Sequence, residues 1–246
     1  MNQIAVVTGA GRGIGRVVCR TLAAHGWTVI AAGRDKSALE AVAKEIGNES
    51  VGIVCDVSDP QSVRNLFSSI KKAFGRIDLL FNNAGVAAPG VPIDELSVED
   101  WRRVIEVNIS GAFFCAQQAI SLMKSQSPQG GRIINNGSIS AQVPRPNSAP
   151  YTASKHAVTG LTKSISLDGR AFNIACGQID IGNADTDMAK TSRAGALQPN
   201  GSKLIEPTIN PQHVADAVLY MASLPLSANV QFMTVMATSM PYIGRG

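Results

Sequence analysis

The sequence is short of charge. Only 16% of its 246 residues are Asp, Glu, Lys or Arg, and the formal net charge of +4 is spread along the chain with no dense Lys/Arg run. That argues against a nucleic-acid partner, which calls for a clustered basic face. There are four cysteines, Cys19, Cys55, Cys115 and Cys176, and three histidines. The cysteines sit in apolar runs at wide, irregular intervals, the pattern of buried reduced thiols rather than of a disulfide framework. Neither residue type has the short spacing of a metal site, so no metal is expected. No apolar stretch approaches the roughly 20 residues of a membrane span. The chain runs at once into Ile4-Ala5-Val6-Val7, which reads as a strand and not as a signal peptide. The expectation is a soluble protein of a reducing compartment, the cytoplasm, with neither membrane nor nucleic acid among its partners.

What is there is apolar: 45% of the residues are hydrophobic, enough for one large α/β core. Short apolar runs at 4–8, 28–32, 51–55, 77–81, 132–136, 174–179 and 230–236 alternate with amphipathic stretches. Most of the runs are continuous, which fits strands buried on both faces of a parallel sheet. Asp59-Pro60 opens a helix with the apolar stripe Val63, Leu66, Phe67, Ile70 and Phe74. Asn210-Pro211 opens another, carrying Val214, Val218 and Met221. Both pair an N-cap residue with Pro at the first helical position. Ser97 and Asp100 have nearly the spacing of a capping box, with Leu96 and Trp101 placed as its hydrophobic staple. The stripe Ala153, Ala157, Leu161 and Ile165 is expected to lay one helix on the sheet. This alternation, without linker or repeat, implies a doubly wound, Rossmann-like parallel sheet of about seven strands in a single domain over 1–246. The irregular stretch 184–210, rich in Gly, Ser, Pro and Asn, reads as a substrate loop.

Two clusters carry chemistry. Thr8-Gly9-Ala10-Gly11-Arg12-Gly13-Ile14-Gly15 follows the first strand and opens a helix over about 13–25. Glycines let the backbone turn tightly and approach a pyrophosphate, and the helix start offers free N–H groups and a positive dipole end. Strict G-x-G-x-x-G spacing is not met, since Ile14 stands where the third glycine would be, and a plain tight turn is the alternative. The second cluster is Tyr151 and Lys155, four apart on one helix face, with Ser138 on the loop before them. An ammonium beside a phenol favours the phenolate, which suits Tyr151 to proton transfer. Singly these are more simply a surface tyrosine, a solvated lysine and a turn serine. Behind a nucleotide cradle they read as an acid/base centre. A chain that binds NAD usually has an acid about 20 residues beyond the glycines, on the ribose 2′-OH. Here Gly33 is followed by Arg34, and Arg12 lies in the turn itself. Two guanidiniums can clamp a 2′-phosphate, so NADP(H) is favoured. Asp35 is the dissenting residue, and NAD(H) is the alternative.

With these residues in place the chain resembles the short-chain dehydrogenase/reductase family, over roughly 3–190. The family's T-G-x-x-x-G-x-G is met by Thr8, Gly9, Gly13 and Gly15. Its Asn-Asn-Ala-Gly is met by Asn82, Asn83, Ala84 and Gly85. Asp56, with Val57 beside it, matches the adenine-side acid, and Thr186, in Thr186-Asp187-Met188, matches a contact to the nicotinamide amide. Asn108, Ser138, Tyr151 and Lys155 match the four-residue active centre. The resemblance implies that Tyr151 exchanges a proton with the carbonyl oxygen and that Ser138 orients that oxygen. It implies that Lys155 binds the nicotinamide ribose and eases loss of the Tyr151 proton, and that Asn108 holds a relay water. It further implies a carbonyl reductase, akin to 3-oxoacyl reductases, assembled as a homotetramer or homodimer. The apolar helix through 112–123, with Phe113, Phe114, Cys115, Ile120 and Leu122, would then be either buried or turned to a partner. The chain departs from the family at Gly177, at Ile181-Gly182 and at its ending, Met236-Ala237-Thr238-Ser239-Met240-Pro241. Small or apolar walls at 86–89, 140–143, 145–147 and 184–210 suit a modest carbonyl compound or secondary alcohol. Arg145 is placed to meet a substrate carboxylate or phosphate, the alternative being a solvent-facing side chain. An NAD-dependent alcohol or polyol dehydrogenase, or a non-catalytic dinucleotide-binding redox sensor, are the rival functions.

Overall fold

The central strands are apolar on both faces, and that fixes the architecture. In the computed structural model, which describes residues 3–186 and 195–243, seven parallel strands form one sheet: β1 (Ile4–Thr8), β2 (Thr28–Gly33), β3 (Val51–Val54), β4 (Leu79–Asn82), β5 (Gly131–Asn136), β6 (Ile174–Ile181) and β9 (Phe232–Val235). Their order is β3-β2-β1-β4-β5-β6-β9. The remaining strands, β7 (Ala196–Leu197) and β8 (Lys203–Leu204), pair as a small antiparallel hairpin. One face of the sheet is covered by α1 (Gly13–Ala24), α2 (Lys36–Ile46) and α7 (Pro211–Ser223), through Val18, Leu22, Leu39 and Val218. The other face carries α3 (Pro60–Phe74), α5 (Gly111–Ser125) and α6 (Ala149–Asp168), through Leu66, Ile70, Ala119 and Ile165. This is the doubly wound parallel fold that the alternation of elements implies.

Local chemistry sets the helix starts. Asp59 accepts from the Gln61 N–H at 2.8 Å and Asn210 from the Gln212 N–H at 2.9 Å, each ahead of a first-turn proline. The Ser97 hydroxyl accepts from the Asp100 N–H at 3.0 Å and donates to the Asp100 carboxylate at 2.9 Å, so Ser97 caps the helix while the aspartate meets the serine hydroxyl rather than the serine backbone N–H as in a capping box. That cap opens α4 (Val98–Ile105), which runs into α5 through a π-helical turn, Glu106–Ser110. All four cysteines are buried and unpaired. Burial raises each thiol, Cys176 to about 12. Among the described residues no helix is long and apolar enough to cross a membrane.

Four expectations need correction. Leu161 packs against the core on this side of the sheet, but Ala153 and Ala157 are only half-buried and are not the main face of α6. That face is Ser154, Val158, Thr162 and Ile165. Periodicity of apolar residues misplaces it because Asn108 and Asn135 donate to the Ser154 and Thr162 hydroxyls at 3.0 and 2.9 Å, so the polar residues are the buried ones. The sheet-edge strand β9 is shorter than 230–236 and alternates exposed with half-buried residues, as an edge with one wet face should. The stretch 184–210 is not wholly irregular: it contains the β7–β8 hairpin and a parallel bridge from Ala184 to Ile209. Helix α5 is neither wholly buried nor wholly presented, since Cys115, Leu122 and Met123 are buried whereas Phe113 is exposed. The departure at Gly177 is steric. A Cβ there would come within 2.1 Å of the Val230 carbonyl oxygen, so β6 approaches the chain entering β9 as closely as bare backbone permits.

Candidate active site

The order β3-β2-β1-β4 makes the sheet reverse direction between β1 and β4, which opens a crevice at their carboxyl ends. Both loops flanking that crevice are the ones singled out in the sequence. After β1, Gly9 turns at φ +66° and Gly13 at φ +54°, conformations natural to glycine. A Cβ on Gly15 would lie 2.3 Å from the Gly9 oxygen, so the turn closes on itself. After β4, the N–H groups of Asn83 and Ala84 donate to the Thr8 hydroxyl at 2.9 and 3.0 Å, and the Asn83 amide donates to the Thr8 carbonyl at 2.9 Å. Thr8 thus locks the two loops together. Gly85 lies against the side chain of Asn108.

The glycine turn is fitted to an anion. Helix α1, like α5 and α6, has no side-chain cap and no acid in its first turn, whereas α2, α3, α4 and α7 are capped by Asp35, Asp59, Ser97 and Asn210. The bare helix start and a Cβ-free turn suit a pyrophosphate. Ile14 lines the crevice beyond them, and Thr186 lies over Gly13, whose Cβ would be 3.5 Å from the threonine methyl. Asp187 and Met188 lie outside the described residues. Asp35 accepts from the Ala38 N–H at 3.1 Å and the Ser37 hydroxyl at 2.7 Å, which hold its carboxyl below the ordinary range. It is therefore engaged as the cap of α2, while Arg12 and Arg34 are exposed. Asp56 accepts from the Ser58 hydroxyl at 2.7 Å, and this bond, with the more distant charge of Arg34, lowers its carboxyl against partial burial. Val57 turns its side chain into the core against Gly111.

A cleft of about 540 Å³ is lined by Ile14 of the turn and by Ser138, Tyr151 and Lys155. Lys155 is buried, its ammonium 5.5 Å from the centre of the Tyr151 ring and donating to the Asn136 carbonyl at 2.7 Å. Asn136 in turn donates to Asn83 at 2.9 Å, so a continuous polar chain runs from α6 to the glycine turn. Asn108 lies in the π-helical turn. Its amide donates to the Val86 carbonyl and the Ser154 hydroxyl, both at 3.0 Å, and its oxygen accepts from the Val86 N–H at 2.8 Å. Ser138 is extended, its hydroxyl accepting from the Ser140 N–H at 3.1 Å. The walls expected at 140–143 and 145–147 contribute Ser140 and 145–147, with Ile139, Ser148, Pro150 and Ile181 added.

Arg145 lines the cleft but is not a free solvent-facing side chain: it forms an ion pair with the buried Glu206 and donates to Asn183 at 3.1 Å. Burial alone would raise the Glu206 carboxyl, but hydrogen bonds from Asn183 and Gln198 and the Arg145 charge hold it below the ordinary range.

Asp180 was missed altogether. Its carboxylate accepts from the Ser138 N–H at 3.0 Å and the Gln178 amide at 2.7 Å, 2% of the residue being exposed. Gln178 and Asp180, two apart in an otherwise apolar strand, were the signal: they share one face. Burial raises the Asp180 carboxyl, against hydrogen bonds from Gln178, the Ser138 N–H and Gln142 and the charge of Lys155. The folded chain therefore binds more protons than the unfolded one from about pH 3.9 up to the raised value. Stability from this group falls as pH rises through that window, and its full penalty stands above it. Asp180→Asn exchanges no proton there. Its Tm relative to the parent should climb as pH rises through the window, read from parallel thermal melts. A Tm difference independent of pH would refute the raised carboxyl.

A doubly wound sheet with a bare glycine turn and a Ser/Tyr/Lys cluster in one cleft defines an oxidoreductase that works with a bound dinucleotide. A profile described as short chain dehydrogenase matches residues 3–196, and the chain belongs to the short-chain dehydrogenase/reductase family, enzymes acting on hydroxyl and carbonyl groups. It is 38% identical over 196 residues to a 3beta-hydroxysteroid dehydrogenase of Mediterraneibacter gnavus, across 78% of this chain and 70% of the relative. Among solved structures it is similar to a variant of the actinorhodin polyketide ketoreductase with NADPH, at 28% identity and a TM-score of 0.85, covering 96% of each chain. It is also similar to a 3-ketoacyl-(acyl-carrier-protein) reductase of Brucella melitensis complexed with NADH. There the identity is 27% and the TM-score 0.85, over 96% of this chain and 97% of that one.

Proposed function

We propose that the protein is an NADP(H)-dependent reductase of a small carbonyl compound, or the dehydrogenase of the matching secondary alcohol, with Tyr151 as its proton donor. The observation that carries this is the placing of Ser138, Tyr151 and Lys155 in one cleft with the uncapped glycine turn. The bound dinucleotide supplies or accepts the hydride. The chain's own residues do the rest. Tyr151 gives its phenolic proton to the carbonyl oxygen in reduction and takes one back in oxidation. Ser138 donates to the same oxygen, where negative charge develops. Asp180 holds the Ser138 backbone and so aims the hydroxyl. Lys155, fixed by Asn136, places a positive charge beside the phenol and offers a donor to a ribose hydroxyl. Both amide hydrogens of Asn108 are already donated, to Val86 and Ser154, so its side chain braces the loop after β4 and has none left for a relay water. Gly9, Gly13, Ile14, Gly15 and the Asn83–Gly85 loop form the dinucleotide wall, Asp56 and Val57 its adenine end, and Thr186 its nicotinamide end. A homotetramer or homodimer fits the exposed Phe113 of α5.

NADP(H) is favoured because Asp35 is engaged as a helix cap while Arg12 and Arg34 are exposed. Fluorescence titration should give NADPH a Kd tighter than NADH by at least about tenfold, the value of one charge-assisted contact to a phosphate. Arg34→Ala should remove most of that difference. Equal affinities in the parent would assign the ribose to Asp35 or to backbone.

A further inference from the structure

Arg145 and Glu206 belong to different walls of the same cleft. Arg145 lies on the loop that precedes α6, and Glu206 follows β8 on the segment opposite. The Glu206 side chain is wholly buried and that of Arg145 is 19% exposed. Besides the ion pair, Glu206 accepts from the Asn183 amide at 2.8 Å and the Gln198 amide at 3.1 Å. Arg145 and Asn183 line the cleft and Glu206 stands behind them. The neighbouring lining mixes apolar Ala88, Ile139, Pro146 and Leu197 with the uncharged Asn147 and Ser148.

We propose that Glu206 is a specificity-determining residue: by pairing Arg145 it sets the cleft for uncharged carbonyl compounds and alcohols and against carboxylates and phosphates. This rests on the reductase reading of the same cleft. A guanidinium at a cleft wall ordinarily attracts an anion. Here the guanidinium charge is already neutralised by a buried carboxylate, so an anionic substrate gains little from its remaining N–H groups, and one that drew Arg145 away would leave that carboxylate uncompensated. The substrate's own charge would also be brought towards that of Glu206. Rejection by an unpaired buried charge is a standard route to selectivity. Lys203 also lines the cleft, but it is exposed and its charge is screened by solvent.

The test uses one matched pair of probes, ethyl acetoacetate and acetoacetate. They are titrated calorimetrically into the full chain, with and without NADP+, so that no turnover is needed. The parent should bind the ester more tightly than the acid. Glu206→Gln, which frees Arg145 with little change of shape, should shift the ester-to-acid affinity ratio towards the acid by at least about tenfold, one charge-assisted contact. The double variant Arg145→Met/Glu206→Met should keep the parent's preference. Should Glu206→Gln fail to fold, Arg145→Met alone leaves the Glu206 carboxylate behind the cleft wall without its guanidinium and must sharpen rejection of the acid. An unchanged ratio in Glu206→Gln, an equal shift in the double variant, or a parent that binds no ester would each overturn the assignment. Reduction of the ester with NADPH is followed in parallel. A shifted binding ratio without turnover would leave the specificity role standing and remove the reductase reading.

Discussion

Tyr151→Phe should lower turnover by about 10²- to 10⁴-fold, the usual contribution of a positioned general acid or base, while dinucleotide affinity stays within a factor of about two. The change deletes one oxygen and keeps the ring. Lys155 keeps its bond to the Asn136 carbonyl, and the chain through Asn136 and Asn83 to the glycine turn is untouched. Only the transferable proton is lost, so the effect should fall on kcat, with KM little changed. Steady-state rates with NADPH, set beside a fluorescence Kd, separate the two. If the variant turned over within a few-fold of the parent, the proton would have to come from elsewhere, and the role given to Tyr151 would be wrong. If affinity collapsed together with turnover, the ring would be a structural part of the cofactor site.

The largest loss of stability is expected at the opposite end of the sheet. Arg132 opens β5 and is only 2% exposed. It donates to Asn229 and to the Ala228 carbonyl at 2.9 Å, and to the Leu224 and Pro225 carbonyls at 3.1 and 3.2 Å. One guanidinium therefore serves the turn between α7 and β9, while burial lowers its pKa and leaves its Nε without a partner. Arg132→Leu removes every one of those donors from part-buried acceptors. Hydrogen bonds from a charged group at about 1.5–3 kcal/mol each, discounted because water can reach the exposed acceptor residues, put the loss near 3–5 kcal/mol. For a chain of this length that is about 10 °C in Tm. Differential scanning calorimetry measures it. Turnover at low temperature should be close to the parent's, because the residue lies at the amino end of its strand and the cleft at the carboxyl end. A fall of less than about 2 °C would mean that water replaces the guanidinium at little cost.

The parts of the fold that were legible in the sequence are those that one physical rule decides. Continuous apolar runs such as Val6-Val7 and Ile133-Ile134 can only be central strands, and Asp59-Pro60 and Asn210-Pro211 can only start helices. The glycine turn and the Tyr151/Lys155 pair were visible for the same reason, because each depends on residues close in sequence. What escaped depends on partners far along the chain. Ser154 and Thr162 look like surface positions until Asn108 and Asn135 are seen to satisfy them. Arg145 looks available until Glu206, 61 positions on by the numbering, closes on it. Asp180 hides within an apolar strand because its partners, Ser138 and Gln178, acquire meaning only when β5 and β6 lie side by side. Polar burial is a property of pairs, and a hydrophobicity pattern records single residues.

The wide turn at Glu106–Ser110 has a consequence of its own. An α-helix rotates by about 100° per residue, and a π turn accommodates one residue more than that count. The rod from Val98 to Ser125 is therefore two half-rods out of angular phase, spliced by a surplus residue. The splice lets the first half present Val104 to the interior while the second half seats Gly111 and Cys115 against the sheet. Asn108 sits at the splice itself, with its three hydrogen bonds to Val86 and Ser154. Excision of a single residue there would straighten the rod, swing one half by a quarter-turn or more, and carry the asparagine off the loop that it holds.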